Sequence, residues 1–119
     1  MNVAVIGASD KPHRYSYQAV KLLKEKGHNV FPVHQRVREV DGIPVYPSIK
    51  DIQETIDTVT MYVGAAISNV IARDLLDKAP ARIIFNPGAE NADLADQAGL
   101  QGIATINACT LVMLRTGQF

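Results

Sequence analysis

The alternation of short β-branched runs with longer amphipathic stripes constrains this chain more than any other feature. Asn2-Val3-Ala4-Val5-Ile6 reads as a buried strand closed by Gly7. From Tyr15 to Lys26, Ala19, Val20, Leu22 and Leu23 form an apolar stripe with Lys21, Lys24 and Glu25 outside it, as a surface helix requires. Gly27 follows as a C-terminal cap. Asn29-Val30-Phe31-Pro32-Val33 is the second strand, Thr58–Val63 the third, Arg82–Phe85 the fourth and Ile103–Ile106 the fifth. Ser68 caps a helix with the stripe Val70, Ile71, Leu75 and Leu76, and Asp74 pairs with Lys78 on its surface. Asn91–Ala98 is a short helix closed by Gly99, and Thr110–Arg115 adds a terminal turn or two. Residues 38–47 are an excursion with a tight turn at Asp41-Gly42 and an edge-tolerant Pro44, and a short helix follows Ser48. Strand and helix alternate throughout. The pattern predicts right-handed crossovers and a five-stranded parallel α/β sheet with helices on both faces.

The 119 residues make one domain, 1–119, able to bury a core without a disulfide or a metal. An apolar fraction of 47% with 20% charged residues is that of a folded globular chain. The single cysteine, Cys109, excludes an internal disulfide and a zinc site built on several thiolates, and no metal site is expected. No apolar run is long enough for a bilayer, and Met1 leads straight into the first strand, so the expected location is cytoplasmic. Twelve acids balance twelve Lys and Arg, so the chain has no bulk attraction to nucleic acid or to an anionic membrane. The balance is uneven along the chain: residues 1–50 carry eight Lys/Arg against four acids, and residues 51–119 the reverse. The first half therefore faces an anion. Association into a homo-oligomer is left open.

In an open parallel sheet, ligands bind outside the carboxyl ends of the strands. The first such end, Gly7-Ala8-Ser9 followed by Lys11, His13, Arg14 and Ser16, combines small residues, cations and a helix start. That is phosphate-binding chemistry, although it lacks the Gly-x-Gly-x-x-Gly dinucleotide fingerprint. The bland alternative is a tight strand exit at Gly7 and a helix cap at Ser16. The second end offers His34, Gln35 and Arg36, with Arg38 nearby, where a carboxylate would favour a free ribose 2′-hydroxyl. A guanidinium here favours a phosphorylated ribose, either the 3′-phosphate of coenzyme A or the 2′-phosphate of NADP.

Val5-Ile6-Gly7-Ala8-Ser9, Lys11-Pro12, Arg14-x-Ser16 and Val30-Phe31-Pro32-Val33-His34 stand in order along the chain. Gly42-Ile43-Pro44-Val45-Tyr46, Asp57, Asn86-Pro87-Gly88-Ala89 and Cys109 with Leu111-Val112-Met113-Leu114 continue the series. This series resembles the small stand-alone CoA-binding domain proteins, which are similar to the CoA-binding domain of the succinyl-CoA synthetase α-subunit. The resemblance implies a single Rossmann-like, doubly wound sheet of order 3-2-1-4-5. It implies that Gly7, Ala8, Ser9 and Arg14 face a pyrophosphate, and that Pro32, Val33, His34 and Arg36 sit near the adenosine and its 3′-phosphate. Val63, Gly64 and Ala65 would line the adenine or pantetheine side, and Asn86, Pro87, Gly88 and Cys109 would lie toward the thiol end. The chain departs from the family at Val63-Gly64, where Val-Pro is frequent.

The leading expectation is a module that binds coenzyme A or acyl-CoA without catalytic machinery of its own. The alternatives are an NADP-binding reductase-like protein, a remnant acyl-CoA ligase-type enzyme, or an interaction protein with a vestigial pocket. Cys109 has two readings, a small buried hydrophobe or a thiol that forms a mixed disulfide with pantetheine. His13 and His28 are expected at the surface. Tyr15, Tyr17, Tyr46 and Tyr62 are expected in packing rather than as an adenine-stacking set, although Tyr15 is near enough to the first loop to touch a ligand.

Overall fold

A computed structural model describes residues 1–119. In chain order the elements are β1 (Asn2–Ile6), α1 (Tyr15–Glu25), β2 (Asn29–Val33), β3 (Glu39–Val40), β4 (Ile43–Pro44) and a single 3₁₀ turn (Ile49–Asp51). They continue with β5 (Thr58–Met61), α2 (Ala65–Lys78), β6 (Arg82–Phe85), α3 (Ala92–Leu100), β7 (Ala104–Asn107) and α4 (Thr110–Arg115). The main sheet is parallel throughout, in the order β2-β1-β5-β6-β7. None of the helices is long and apolar enough to cross a membrane.

Side chains alternate across the sheet and so fill two separate cores. Ala4, Ile6, Val59, Met61, Ile83 and Phe85 pack with Leu75 of α2, with Leu94 and Ala98 of α3, and with Ile49, Ile52 and Ile56. Val3 and Val5 face the other way, against Val20 and Leu23 of α1, Leu114 of α4 and Val40 of the β3–β4 hairpin. The hairpin turns at Asp41 (φ 48°) and Gly42 (φ 80°), the two left-handed positions a tight two-residue turn needs. Lys24 of α1 clasps it by donating to the Asp41 carbonyl at 2.9 Å, with the Asp41 carboxylate 3.5 Å away.

The sheet order corrects the expected 3-2-1-4-5. Counting only the five long strands, the order is 2-1-3-4-5: Thr58–Met61 lies directly beside β1, with Ala4 opposite Val59. All four of its residues are buried, which a central strand requires and an edge does not. The place outside β2 is held instead by the excursion, through one parallel bridge between Val33 and Tyr46. Pro32 is tolerated because its carbonyl accepts from Tyr46 N on that outer side, so the missing N–H faces an edge with a single bridge.

Several boundaries also differ from expectation. The third strand ends at Met61 and the fifth runs from Ala104 to Asn107. Helix α2 begins one turn early, with Gly64 at its N-cap; Ser68 lies inside the helix, fully buried, and accepts from Asn91 Nδ2 at 2.7 Å. Val70 is 82% exposed and not part of a core stripe. The surface pair on α2 is Arg73 with Asp77, while Lys78 donates to the Ile52 carbonyl. Helix α3 runs through Gly99 to Leu100, and Gly102 takes the left-handed turn.

Candidate functional site

The strand order reverses between β1 and β5, and two clefts meet there. The larger, about 750 Å³, opens on the α1 side and is lined by Gly7, Ala8, Ser9, Asp10, Lys11, Arg14, Tyr15, Ser16, His34, Arg36, Val37, Tyr62 and Val63. The smaller, about 590 Å³, opens on the α2 side between Pro47–Lys50 and Ile67, Val70, Ile71 and Asp74. Gly7, His34, Arg36 and Val63 line both and form the saddle between them.

The loop after β1 is held by two bonds to the end of β2 and by two local ones. Gly7 N and Ala8 N both donate to the Val33 carbonyl, at 3.1 and 3.2 Å, pinning the exit of β1 to the end of β2. Ala8 is wholly buried beneath the loop. Ser9 Oγ accepts from Lys11 N at 3.1 Å, and Arg14 N donates to the Lys11 carbonyl at 3.0 Å, which curls the loop into α1. Arg14 is the N-cap of α1 and offers no side-chain cap, and Gly64 at the start of α2 has none to offer. The helices away from the switch point differ. Asn91 caps α3 by accepting from Leu94 N, and Asn86 Oδ1 accepts from Thr110 N at the start of α4. First-turn N–H groups and their partial positive charge are thus unclaimed by side chains at the two helices flanking the saddle.

Lys11, Arg14 and Arg36 are exposed on the larger cleft, and neither of the molecule's two ion pairs involves them. Asp10 is the one carboxylate on that lining. The arrangement supplies three uncompensated cations, small residues and free N–H donors around one depression, which is chemistry for a polyanion. Tyr15 is 71% exposed on the rim rather than packed. Tyr62 also lines this cleft; its hydroxyl is buried without a hydrogen-bond partner, and burial pushes the phenol up to about 12.

Of the residues singled out from sequence, Gly7, Ala8, Ser9, Lys11, Arg14, Ser16, Val33, His34, Arg36 and Val63 come together on the two clefts. Pro32, Gly64, Ala65, Asn86, Pro87, Gly88 and Cys109 line neither. Asn86 is buried, and its carboxamide is spent internally: Nδ2 donates to Thr60 Oγ1 at 2.7 Å and to the Met61 carbonyl at 2.9 Å, and Oδ1 accepts from Thr110 N at 2.8 Å. Cys109 is half-buried at the N-cap of α4. No cluster of three His, Cys, Asp or Glu side chains is present. Sequence reasoning missed Tyr62, Val37 and the smaller cleft's Pro47–Lys50 and Ile67–Asp74 walls. Val70 gave no signal in the sequence, because its spacing puts it in the apolar stripe of α2; only its 82% exposure sets it apart from the core.

The class defined by fold and site is an open, doubly wound α/β domain with a cationic cleft at its switch point. The chain belongs to the CoA binding domain family, whose model matches residues 1–115. It is related to subunits of ADP-forming acetate–CoA ligases: the II subunit alpha of Pyrococcus furiosus is 45% identical over 56 residues, 46% of this chain and 12% of that subunit. The chain therefore spans only a small part of that relative. Among solved structures, an uncharacterized protein is 35% identical with a TM-score of 0.90, covering 99% of this chain and 97% of its own. A hypothetical protein from Pyrococcus horikoshii OT3 is 28% identical with a TM-score of 0.90, over 96% and 81% of the two chains.

Proposed function

We propose that the chain is a binding module for coenzyme A or an acyl-CoA, held across the saddle between the two clefts. The pyrophosphate lies over Gly7, Ala8 and Ser9, where Lys11, Arg14 and the free N–H groups of α1 meet it. The 3′-phosphate on the ribose pairs with Arg36 at the exit of β2, and Val63 contacts the adenine or pantetheine side. The observation that carries this reading is the set of Lys11, Arg14 and Arg36 on one cleft, none of them in an ion pair. Membership of the CoA binding domain family supports the choice of nucleotide. The groups gathered on the cleft, Lys11, Arg14, Arg36 and free N–H groups, donate hydrogen bonds to an anion, which supports a binding role.

Titration calorimetry at fixed ionic strength with coenzyme A, dephospho-coenzyme A and NADP tests it. Coenzyme A binds, and dephospho-coenzyme A binds more weakly for want of the ribose phosphate. NADP binding without coenzyme A binding replaces the reading with a dinucleotide one, and equal affinity for coenzyme A and its dephospho form removes Arg36 from its assigned role.

A further inference from the structure

His34 stands on the saddle at the exit of β2, where its imidazole looks like another cation for a phosphate. Its hydrogen bonds argue otherwise. Nδ1 accepts from Arg36 N at 3.0 Å and from Val37 N at 3.2 Å. A backbone N–H can only donate, so Nδ1 carries no proton and the ring's single proton sits on Nε2. A doubly protonated ring would set its own Nδ1–H against two backbone donors. The turn from 34 to 37 has no backbone–backbone hydrogen bond across it, so the imidazole is what closes it. Arg36, whose amide the ring holds, is exposed on both clefts and lacks an ion-pair partner.

We propose that His34 is a positioning residue, a neutral acceptor that folds the 34–37 turn and so fixes where the Arg36 guanidinium enters the cleft. The inference rests on the reading that Arg36 meets the ribose phosphate. It assigns that residue's selectivity to an uncharged neighbour. The chemistry required at position 34 is a short side chain with an acceptor atom, and positive charge there is of no use. Asparagine meets that requirement, because its Oδ1 accepts from the N–H two residues on in an Asx-turn. Lysine does not, since it has charge and no acceptor.

The test compares His34→Asn, His34→Lys and His34→Ala by calorimetry with coenzyme A and dephospho-coenzyme A, and by amide exchange at Arg36 and Val37 without ligand. The Asn variant keeps the preference for coenzyme A and slow exchange at both amides. The Lys and Ala variants lose about tenfold in coenzyme A affinity, the weight of one charge-assisted hydrogen bond, with little change for the dephospho form. Their two amides exchange fast. A Lys variant that binds as well as the wild type while the Asn variant does not, or fast exchange at both amides in the wild type, overturns the proposal. Slow amides in the wild type and Asn variant alone, with no coenzyme A bound by any of them, would sustain the turn and remove the coenzyme A reading instead.

Discussion

Gly7 sits so close to Val63 that a Cβ built on it would lie 2.7 Å from the valine Cγ1, and its φ is +84°. The exits of β1 and β5 therefore touch at the saddle, and only a residue without a side chain lets them do so. The Tyr62 backbone is also near, 3.2 Å from the same hypothetical carbon, so turning the valine side chain away would not by itself relieve the crowding.

Gly7→Ala consequently meets two penalties, the left-handed backbone and the clash. Gly88 separates them, because it has φ +89° with nothing within 4 Å of its would-be Cβ. Gly88→Ala should cost about 1 kcal/mol, the conformational part alone. Gly7→Ala should cost about 2–4 kcal/mol and weaken nucleotide binding, since the loop that carries Ser9 and Lys11 must shift. Urea denaturation of both variants checks this, with equal losses counting against a crowded saddle.

Arg36→Ala should weaken coenzyme A by about 1.5–3 kcal/mol, the range for a hydrogen bond to a charged group. Dephospho-coenzyme A should lose little, because it lacks the group the guanidinium meets. Arg36 is exposed and unpaired in the free protein, so thermal stability should stay within about 0.5 kcal/mol of wild type. Calorimetry with both ligands, set beside thermal melts, reads the two effects separately.

Asn86 was a ligand residue by resemblance, and its surroundings assign it other work. Its carboxamide ties β5 to β6 and holds the first N–H of α4, and Thr60 Oγ1 and Thr110 Oγ1 close the network at 2.7 Å. Asn86→Ala should destabilise the fold by about 2–3 kcal/mol, because it strands the buried Thr110 N–H and takes one of the Thr60 hydroxyl's two partners, leaving it only Thr110 Oγ1. Asn86→Asp should cost as much or more, since it puts a carboxylate oxygen against the Met61 carbonyl. Affinity measured well below the melting temperature should change far less than stability does.

The elements of the fold could be read from periodicity because each depends on residues near in sequence. The order of strands could not, because Thr58-Val59-Thr60-Met61 does not announce its neighbours. Its two threonines suggest a half-exposed strand, yet both are buried, with hydroxyls taken up by Arg82 Nε and by Asn86 Nδ2 from distant segments. The cationic half of the site was legible for a similar reason in reverse. Lys11, Arg14 and Arg36 follow strand ends directly, where α/β topology itself points. The smaller cleft was not, because its walls come from α2 and from the turn after Ser48, elements that lie far apart in sequence.

Tyr62 carries the remaining prediction. Burial raises its phenol from 10.0 to about 12, so the folded state favours the protonated form. That contribution is fully present below pH 10 and is lost as pH rises through about 12, because the unfolded chain releases the proton first. After allowance for partial exposure it amounts to about 2 kcal/mol. Tyr62→Phe removes the titration, so its urea midpoint should fall less than that of the wild type between pH 9 and about 11.5. At neutral pH the variant should be at least as stable as wild type, since the hydroxyl it deletes is buried without a partner. A Phe variant that loses more than about 1 kcal/mol at pH 7 would mean that the hydroxyl is bonded in solution, with Thr60 and Thr110 the nearest candidates.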